Sequence, residues 1–260
     1  MNIILHGCLG AMGRELSSLV KENAAENHII ICAGIDRQRA DTALDYPVYS
    51  HFDDLGEDIK KTADVIIDFS TATAIDALLD FTERQSIPLV LCTTNLSLKQ
   101  LARINALSDK TAVLRSANMS LGINLLTELV SETAKILYSS GFNIEIIEKH
   151  HKRKIDAPSG TAISISEAVN AALGNKLNPV YCRTDRREAR PENEIGIASV
   201  RGGSMAGEHE VIFAGEDEII SFTHTALSRK IFAKGALKAA EFIVSRQKGL
   251  YSMKDVIRLS

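Results

Sequence analysis

The chain has 260 residues, 45% of them hydrophobic and 24% charged, with a formal net charge of −3. That is enough apolar material for one large core or two ordinary ones, without the positive excess of a nucleic-acid or membrane-surface binder. No stretch approaches the roughly 20 consecutive apolar residues of a membrane-spanning helix.

Residues 1–7 carry neither a basic leader nor a long apolar segment, so no secretory signal is expected and the cytoplasm is the expected compartment. The cysteines, Cys8, Cys32, Cys92 and Cys182, are scattered, with no CxxC pair and no metal spacing. They read as free thiols in a reducing compartment, and no metal is expected.

Residues 2–6 form a short apolar run, followed by a glycine turn and a helical stretch over 14–24. Apolar runs of buried-strand length recur at 28–35, 63–69, 88–92 and 111–115, with helical patterns at 73–84 and 97–107. Short apolar runs separated by helices predict βαβ units and a parallel sheet. After about Leu121 the pattern changes. Residues 122–138 have helical spacing, 143–149 alternate like a strand, and 159–173 are helical again. A polar loop over 183–194 follows. Three strand-like runs at 195–201, 209–214 and 218–225 then predict a mixed or antiparallel sheet, before a last helix over 232–245. The fold class expected is α/β with a second, α+β domain.

Gly7-Cys8-Leu9-Gly10-Ala11-Met12-Gly13 follows the first strand and opens the first helix. Glycines there permit a tight turn and a close approach of backbone to a pyrophosphate, which a helix N-terminus favours. The frame departs from strict GxGxxG, because Cys8 stands where the first glycine would be. A turn of purely steric origin is the alternative. Asp36 ends the second strand, near the offset of about 20 residues expected of a carboxylate that reads the adenine ribose. It favours NADH by repelling a 2′-phosphate, whereas Arg37 can pair with that phosphate or stack on adenine. The reading is therefore NADH and/or NADPH, leaning to NADH. Cys92-Thr93-Thr94 and Ser116-Ala117-Asn118-Met119 end the fourth and fifth strands, where nicotinamide and its ribose would lie. Each also reads as a turn or a helix cap, with Asn95 or Ser97 as the cap.

Six basic or imidazole side chains occupy positions 149–154, and Pro158-Ser159-Gly160-Thr161 opens a helix directly behind them. A solvated charge run is the plain alternative. The strand before and the helix start behind instead suggest a pocket for carboxylates. His150 can exchange a proton near neutral pH, and Lys154 can donate one or neutralise developing negative charge. The pair His150-His151 lacks further ligands that would complete a metal site.

At this segment the chain resembles the dihydrodipicolinate reductase family. The signature Glu-x-His-His-x-x-Lys-x-Asp-Ala-Pro-Ser-Gly-Thr-Ala runs here from Glu148 through His150, His151, Lys154, Asp156 and Gly160 to Ala162. Gly7-x-x-Gly10-x-Met12-Gly13, Asp68-Phe69-Ser70, Asn118-x-Ser120-x-Gly122-x-Asn124, Arg201-x-Gly203, Gly207-Glu208-His209, Ser228-Arg229 and Phe232-Ala233-x-Gly235-Ala236 are similar to further family segments. The resemblance implies reduction of 4-hydroxy-tetrahydrodipicolinate to tetrahydrodipicolinate in diaminopimelate and lysine biosynthesis. It implies His150 as proton donor or acceptor and Lys154 as second donor, with His151, Gly160 and Thr161 holding the two carboxylates of the ring substrate. It also implies a Rossmann dinucleotide-binding domain over 1–121 and 231–260, interrupted by a substrate-binding and tetramerisation domain over 122–230. A homotetramer and closure over the ligand follow from the same resemblance, and no nucleic-acid or membrane partner does. Ala11 stands where the family often has Arg, Cys92 where it usually has Gly, and Met119 where it usually has Phe. These departures bear on cofactor preference. The rival readings are another reductase of a small carboxylate, such as an aspartate dehydrogenase-like enzyme, and a non-catalytic dinucleotide sensor.

Overall fold

A computed structural model of the chain describes residues 1–23, 28–37, 44–184 and 186–257. In chain order its elements are β1 (Asn2–His6), α1 (Ala11–Glu22), β2 (Ile30–Ile35), β3 (Val48–Tyr49), α2 (Glu57–Thr62), β4 (Val65–Asp68), α3 (Ile75–Gln85), β5 (Leu89–Leu91), α4 (Leu98–Ser108) and β6 (Ala112–Arg115). Then come α5 (Leu121–Leu137), β7 (Asn143–His150), α6 (Gly160–Ala172), β8 (Asn178–Val180), β9 (Glu194–Arg201), β10 (Gly207–Ala214), β11 (Ile219–Ala226), α7 (Lys230–Ile243), β12 (Gly249–Tyr251) and α8 (Met253–Val256). The chain divides into two compact units, Met1–Leu121 with Arg229–Ser260, and Gly122–Ser228.

The first unit is built on a parallel seven-stranded sheet of order β12-β6-β5-β4-β1-β2-β3. Its central strands are apolar almost throughout because both faces are covered. Ile3, Leu5, Val65, Ile67 and Val90 point into a core shared with α1 and α7. Ile4, Ile66, Leu89 and Leu91 point to the other side, against α3 and α4. This is the doubly wound, Rossmann-like arrangement that the alternation of apolar runs and helices predicts.

The second unit holds a five-stranded mixed sheet of order β11-β10-β7-β9-β8. β7 pairs antiparallel with β10 and parallel with β9. Every second residue of β7 and of β10 is buried, and that face packs against α5 and α6 through Leu126, Val130, Ile144, Ile146, Ile165, Val211 and Phe213.

Several element ends differ from the sequence reading. β2 stops at Ile35 and β5 at Leu91, so Asp36 and Cys92-Thr93-Thr94 lie just past their strands. That places their side chains on the turns at the carboxyl edge of the sheet. α1 starts at Ala11, earlier than expected, because Gly10 in extended backbone serves as its N-cap. The expected end of that helix, Ala24, lies outside the described residues. Ser97, not Asn95, caps α4, in a reciprocal capping box with Gln100. Asn95 adopts a positive φ of 58° in the turn before it.

Candidate functional site

The glycine loop joins β1 to α1 at the carboxyl edge of the parallel sheet. Gly7 has φ +77°, and a Cβ there would lie 2.7 Å from the Phe69 carbonyl carbon. A Cβ on Gly13 would lie 2.2 Å from the Gly7 carbonyl oxygen. Side chains are therefore excluded at both positions, and the turn stays narrow enough for backbone to approach a ligand. Gly10 offers α1 no side-chain cap, so the helix dipole faces an open cradle lined by Gly7, Leu9, Gly10, Asp36, Arg37 and Ser70. The cradle fits the pyrophosphate of a dinucleotide.

The Leu9 N–H donates to Asp36 Oδ2 at 3.0 Å, and Arg14 Nε donates to the Leu9 carbonyl at 2.8 Å. Arg37 is exposed, with Nη2 3.4 Å from the Thr73 carbonyl oxygen. Cys8 is fully buried against Gly34, and burial, helped by the charge of Asp36, pushes its thiol up to about 12. It is a packing group. Ala11 is exposed and Met12 half-buried.

Further along the same edge, Asp68 is fully buried and gathers three neighbours. Its Oδ2 accepts from Thr93 Oγ1 at 2.6 Å, its Oδ1 accepts the Ser70 N–H at 3.1 Å, and His6 Nδ1 lies 2.8 Å from Oδ1. Thr93 is thereby pinned, while Thr94 is exposed. Burial raises the Cys92 thiol well above its ordinary value. Ser116 Oγ donates to the Asn118 carbonyl at 2.8 Å, and Asn118 Oδ1 accepts the Ser120 N–H at 2.9 Å. Ala117 stays exposed within that turn. Met119 is buried, and a Cβ on Gly235 of α7 would lie 1.6 Å from its carbonyl oxygen, so α7 presses directly on this turn.

In the second unit the cationic segment leaves β7 at His150, and α6 begins behind it with Ser159 as N-cap, whose Oγ accepts the Ala162 N–H at 3.1 Å. Glu148 and His150, two apart on one strand, share the buried sheet face. Glu148 is fully buried, with Oε2 2.5 Å from His150 Nδ1. Arg201 of β9 grips both its oxygens, Nη2 to Oε1 at 2.6 Å and Nη1 to Oε2 at 2.8 Å. The Ser159 N–H donates to Oε1 at 3.1 Å. Burial opposes ionisation of Glu148, but hydrogen bonds from Arg201, Ser199 and His150, with the Arg201 charge, outweigh it and draw the carboxyl down to about 2.

His150 is 8% exposed. Burial lowers its pKa, Glu148 works against that, and the charges of Lys154 and Arg201 add to the lowering. His209 of β10 meets His150 edge to face at 5.2 Å, and its Nε2 lies 3.0 Å from Ser159 Oγ. Burial, then the proximity of His150, push His209 down to about 4. His151 is half-buried, and its Nδ1 meets no hydrogen-bond partner among the described residues. Lys152 and Arg153 are exposed. Lys154 is half-buried, with Nζ 2.8 Å from Asp156 Oδ2. The Lys154 hydrogen bond lowers the Asp156 carboxyl against the opposing effect of burial, with smaller help from the Lys154 charge and nearby backbone N–H groups. A carboxylate thus already rests against Lys154, shortly before the start of α6. Gly160 is exposed at that helix start, and Thr161 beside it is half-buried.

The sequence reading named His150, His151, Lys154, Gly160 and Thr161, and all lie on this one segment. It gave no role to Glu148, Ser159, Arg201 or His209, which pack around His150. Nor did it assign one to His6 or Asp68 in the first unit. The signal for Glu148 was its place two residues before His150 on a strand. Arg201 stands in the family-like Arg201-x-Gly203 segment, but no local pattern names Glu148 as its partner, which it reaches through the register of β7 against β9.

Two family models cover the chain: one described as dihydrodipicolinate reductase, N-terminus, over residues 1–119, and one as dihydrodipicolinate reductase, C-terminus, over residues 122–257. A protein of Caldanaerobacter subterraneus subsp. tengcongensis named 4-hydroxy-tetrahydrodipicolinate reductase is 48% identical over 258 residues, covering 99% of this chain and 98% of that one. A protein of the same name from Clostridium novyi is 45% identical over 257 residues, covering 98% of each. Among solved structures, a dipicolinate-bound dihydrodipicolinate reductase from Paenisporosarcina sp. TG-14 superposes with a TM-score of 0.82 at 23% identity over 99% of both chains. Aspartate dehydrogenase from Thermotoga maritima reaches a TM-score of 0.53 at 12% identity, covering 95% of this chain and 97% of that one, a likeness of fold alone.

Proposed function

The chain belongs to the dihydrodipicolinate reductase family, and on that premise we propose that it reduces 4-hydroxy-tetrahydrodipicolinate to tetrahydrodipicolinate and water at the expense of NAD(P)H. The observation that carries this reading, beside the family match, is the joining of His150, Lys154 and the start of α6 on one segment with an anion already seated against it.

The first unit is read as the dinucleotide-binding domain. Gly7, Gly10 and Gly13, with Cys8, Leu9, Ala11 and Met12 between them, take the pyrophosphate at the start of α1. Asp36 reads the adenine ribose and Arg37 flanks it, which favours NADH. Cys92, Thr93 and Thr94, with Ser116, Ala117, Asn118 and Met119, border the nicotinamide half. Bound there, the dinucleotide supplies a hydride. Reduction also requires a proton and release of water.

The second unit is read as the substrate domain. A dianion must shed its hydration to bind, and fixed positive charge offsets that cost. Lys154 supplies it, His151 and the N–H groups of Gly160 and Thr161 add hydrogen-bond donors, and Asp156 yields its place to the substrate carboxylate. His150 and Lys154 are the two groups that deliver a proton. We also read this unit as the surface of a homotetramer. β11 lies at the edge of its sheet, with Ile219 68% exposed, and light scattering tests that assembly.

The decisive assay follows NADH and NADPH oxidation with enzymatically generated ring substrate. Turnover of the ring substrate, with none of aspartate, is expected. Turnover of aspartate alone would overturn the reading in favour of the amino-acid dehydrogenase rival, and dinucleotide binding without any turnover would favour a sensor.

A further inference from the structure

We propose that Glu148 is a positioning residue for His150: its carboxylate holds the imidazole as the Nδ1–H tautomer and leaves Nε2 as the nitrogen that exchanges the proton with substrate. This rests on the reading of His150 as the acid–base group.

Three independent features support it. The first is the donor set around Glu148. An ionised carboxylate only accepts, so the ring nitrogen 2.5 Å from Oε2 must carry a hydrogen. The remaining capacity of the carboxylate is taken by the paired Arg201 nitrogens, the Ser159 N–H and the Ser199 side chain. Glu148 therefore has no room to turn away, and its geometry is fixed from two other segments of the chain.

The second is the other edge of the ring. A Cβ on Gly207 would lie 3.0 Å from His150 Nε2. Every residue but glycine at position 207 would crowd the nitrogen left for chemistry, while glycine leaves it approachable.

The third is the coupling of the clamp to the anion site. Ser159 donates its N–H to Glu148 and caps α6 with its hydroxyl. Arg201 Nη2 also donates to the Asp156 carbonyl at 2.6 Å. The ring orientation and the helix start that faces the substrate carboxylate are thus set by the same carboxylate and guanidinium. The polar arrangement parallels the carboxylate–imidazole pairs that fix histidine tautomers elsewhere in proteins.

The charged and titratable groups facing His150 are Glu148 on its own strand, Arg201 on β9, His209 on β10 and Lys154 in the loop behind it. Loss of the Glu148 charge removes the one group among them that favours the imidazolium. If His150 must be protonated to act, Glu148→Gln moves the basic limb of kcat/KM to lower pH, by about half a unit or more, and lowers kcat by about 10-fold or more. The KM for the dinucleotide stays within about twofold. A purely structural role would lower the active fraction without moving the limb.

The test uses the intact protein labelled with 15N-histidine and needs no substrate for its first step. Long-range 1H–15N spectra of the neutral His150 ring, with its signals identified in His150→Gln, are expected to show the Nδ1–H tautomer. An Nε2–H tautomer overturns the proposal. Gly207→Ala, assayed as folded protein because the φ of +158° at Gly207 strains any side chain there, supplies a second arm that replaces no member of the clamp. It is expected to keep the tautomer and lower kcat by about 10-fold, and unchanged turnover in both Gly207→Ala and folded Glu148→Gln overturns the proposal. Should Glu148→Gln fail to fold, the wild-type spectrum and Gly207→Ala decide. Lack of turnover in the wild type would instead sink the reductase reading and leave the tautomer result standing on its own.

Discussion

The Leu9 N–H donates to Asp36 Oδ2 at 3.0 Å, so the carboxylate proposed to read the ribose is also a strut of the glycine turn. Removing it does two things at once: it lifts the repulsion of a 2′-phosphate and loosens the loop. Asp36→Ala is therefore expected to lower kcat/KM with NADH by about 10-fold and to shift the NADPH/NADH ratio towards NADPH. Steady-state kinetics with both dinucleotides check it. An unshifted ratio would mean that Asp36 only supports the turn.

His150→Gln and Lys154→Ala are each expected to lower kcat by about 100-fold, the scale of one lost acid–base or electrostatic group. Dinucleotide affinity, followed by fluorescence titration, should stay within about twofold, because neither residue belongs to the glycine turn or the strand ends proposed to hold it. Wild-type turnover in either variant would remove that residue from the proposed chemistry.

Asp68 is buried with Thr93, Ser70 and His6 around it. Asp68→Ala leaves the Thr93 hydroxyl and the Ser70 N–H without their acceptor in a water-poor site, at a cost of about 2–4 kcal/mol. Urea unfolding should show that loss. Thr93→Val tests the Thr93 branch; a change of less than about 0.5 kcal/mol there would show that Asp68 is not held through Thr93.

Acid should weaken the second unit in two steps. A histidine kept neutral by burial binds fewer protons folded than unfolded, so its contribution is lost as pH falls from its unfolded value towards its folded one. For His209 that window runs from 6.5 down to about 4, and His150 and His224 shift in the same direction. The full His209 effect is on the order of 3 kcal/mol. Glu148 has the carboxylate sign: its contribution is present above 4.5 and is lost as pH falls towards about 2. Denaturation midpoints measured across these ranges check both steps. His209→Gln should flatten the upper one, and an unchanged slope would exclude His209 as its source.

The alternation of apolar runs and helices was enough to read the parallel sheet, because strands covered on both faces must be apolar along their whole length. The same logic hides the edges. β3, β8 and β12 have two or three residues each, and β8 contains Pro179, so none carries a periodic signal. α2 buries no residue, and without an apolar stripe it reads as loop. At the site, spacing alone marked Gly7, Gly10 and Gly13, and chemistry marked His150 and Lys154. The pairings behind the site were not legible: Arg201 reaches Glu148 across 53 residues, and Thr93 reaches Asp68 across 25. Such partners are chosen by strand register and sheet order, which no local pattern encodes.

The parallel sheet takes its last strand from β12, paired to β6 through Gly249–Tyr251, and its cover from α7. Synthesis therefore delivers the whole of the second unit before the first can close. Until then Ala112–Arg115 presents an unpaired edge, and the face that α7 covers through Ala233, Ala236 and Ala240 is bare. An exposed apolar edge invites pairing with a neighbouring chain. In a cell, the nascent first unit is thus the stage of this protein's life at which a chaperone has most to shield.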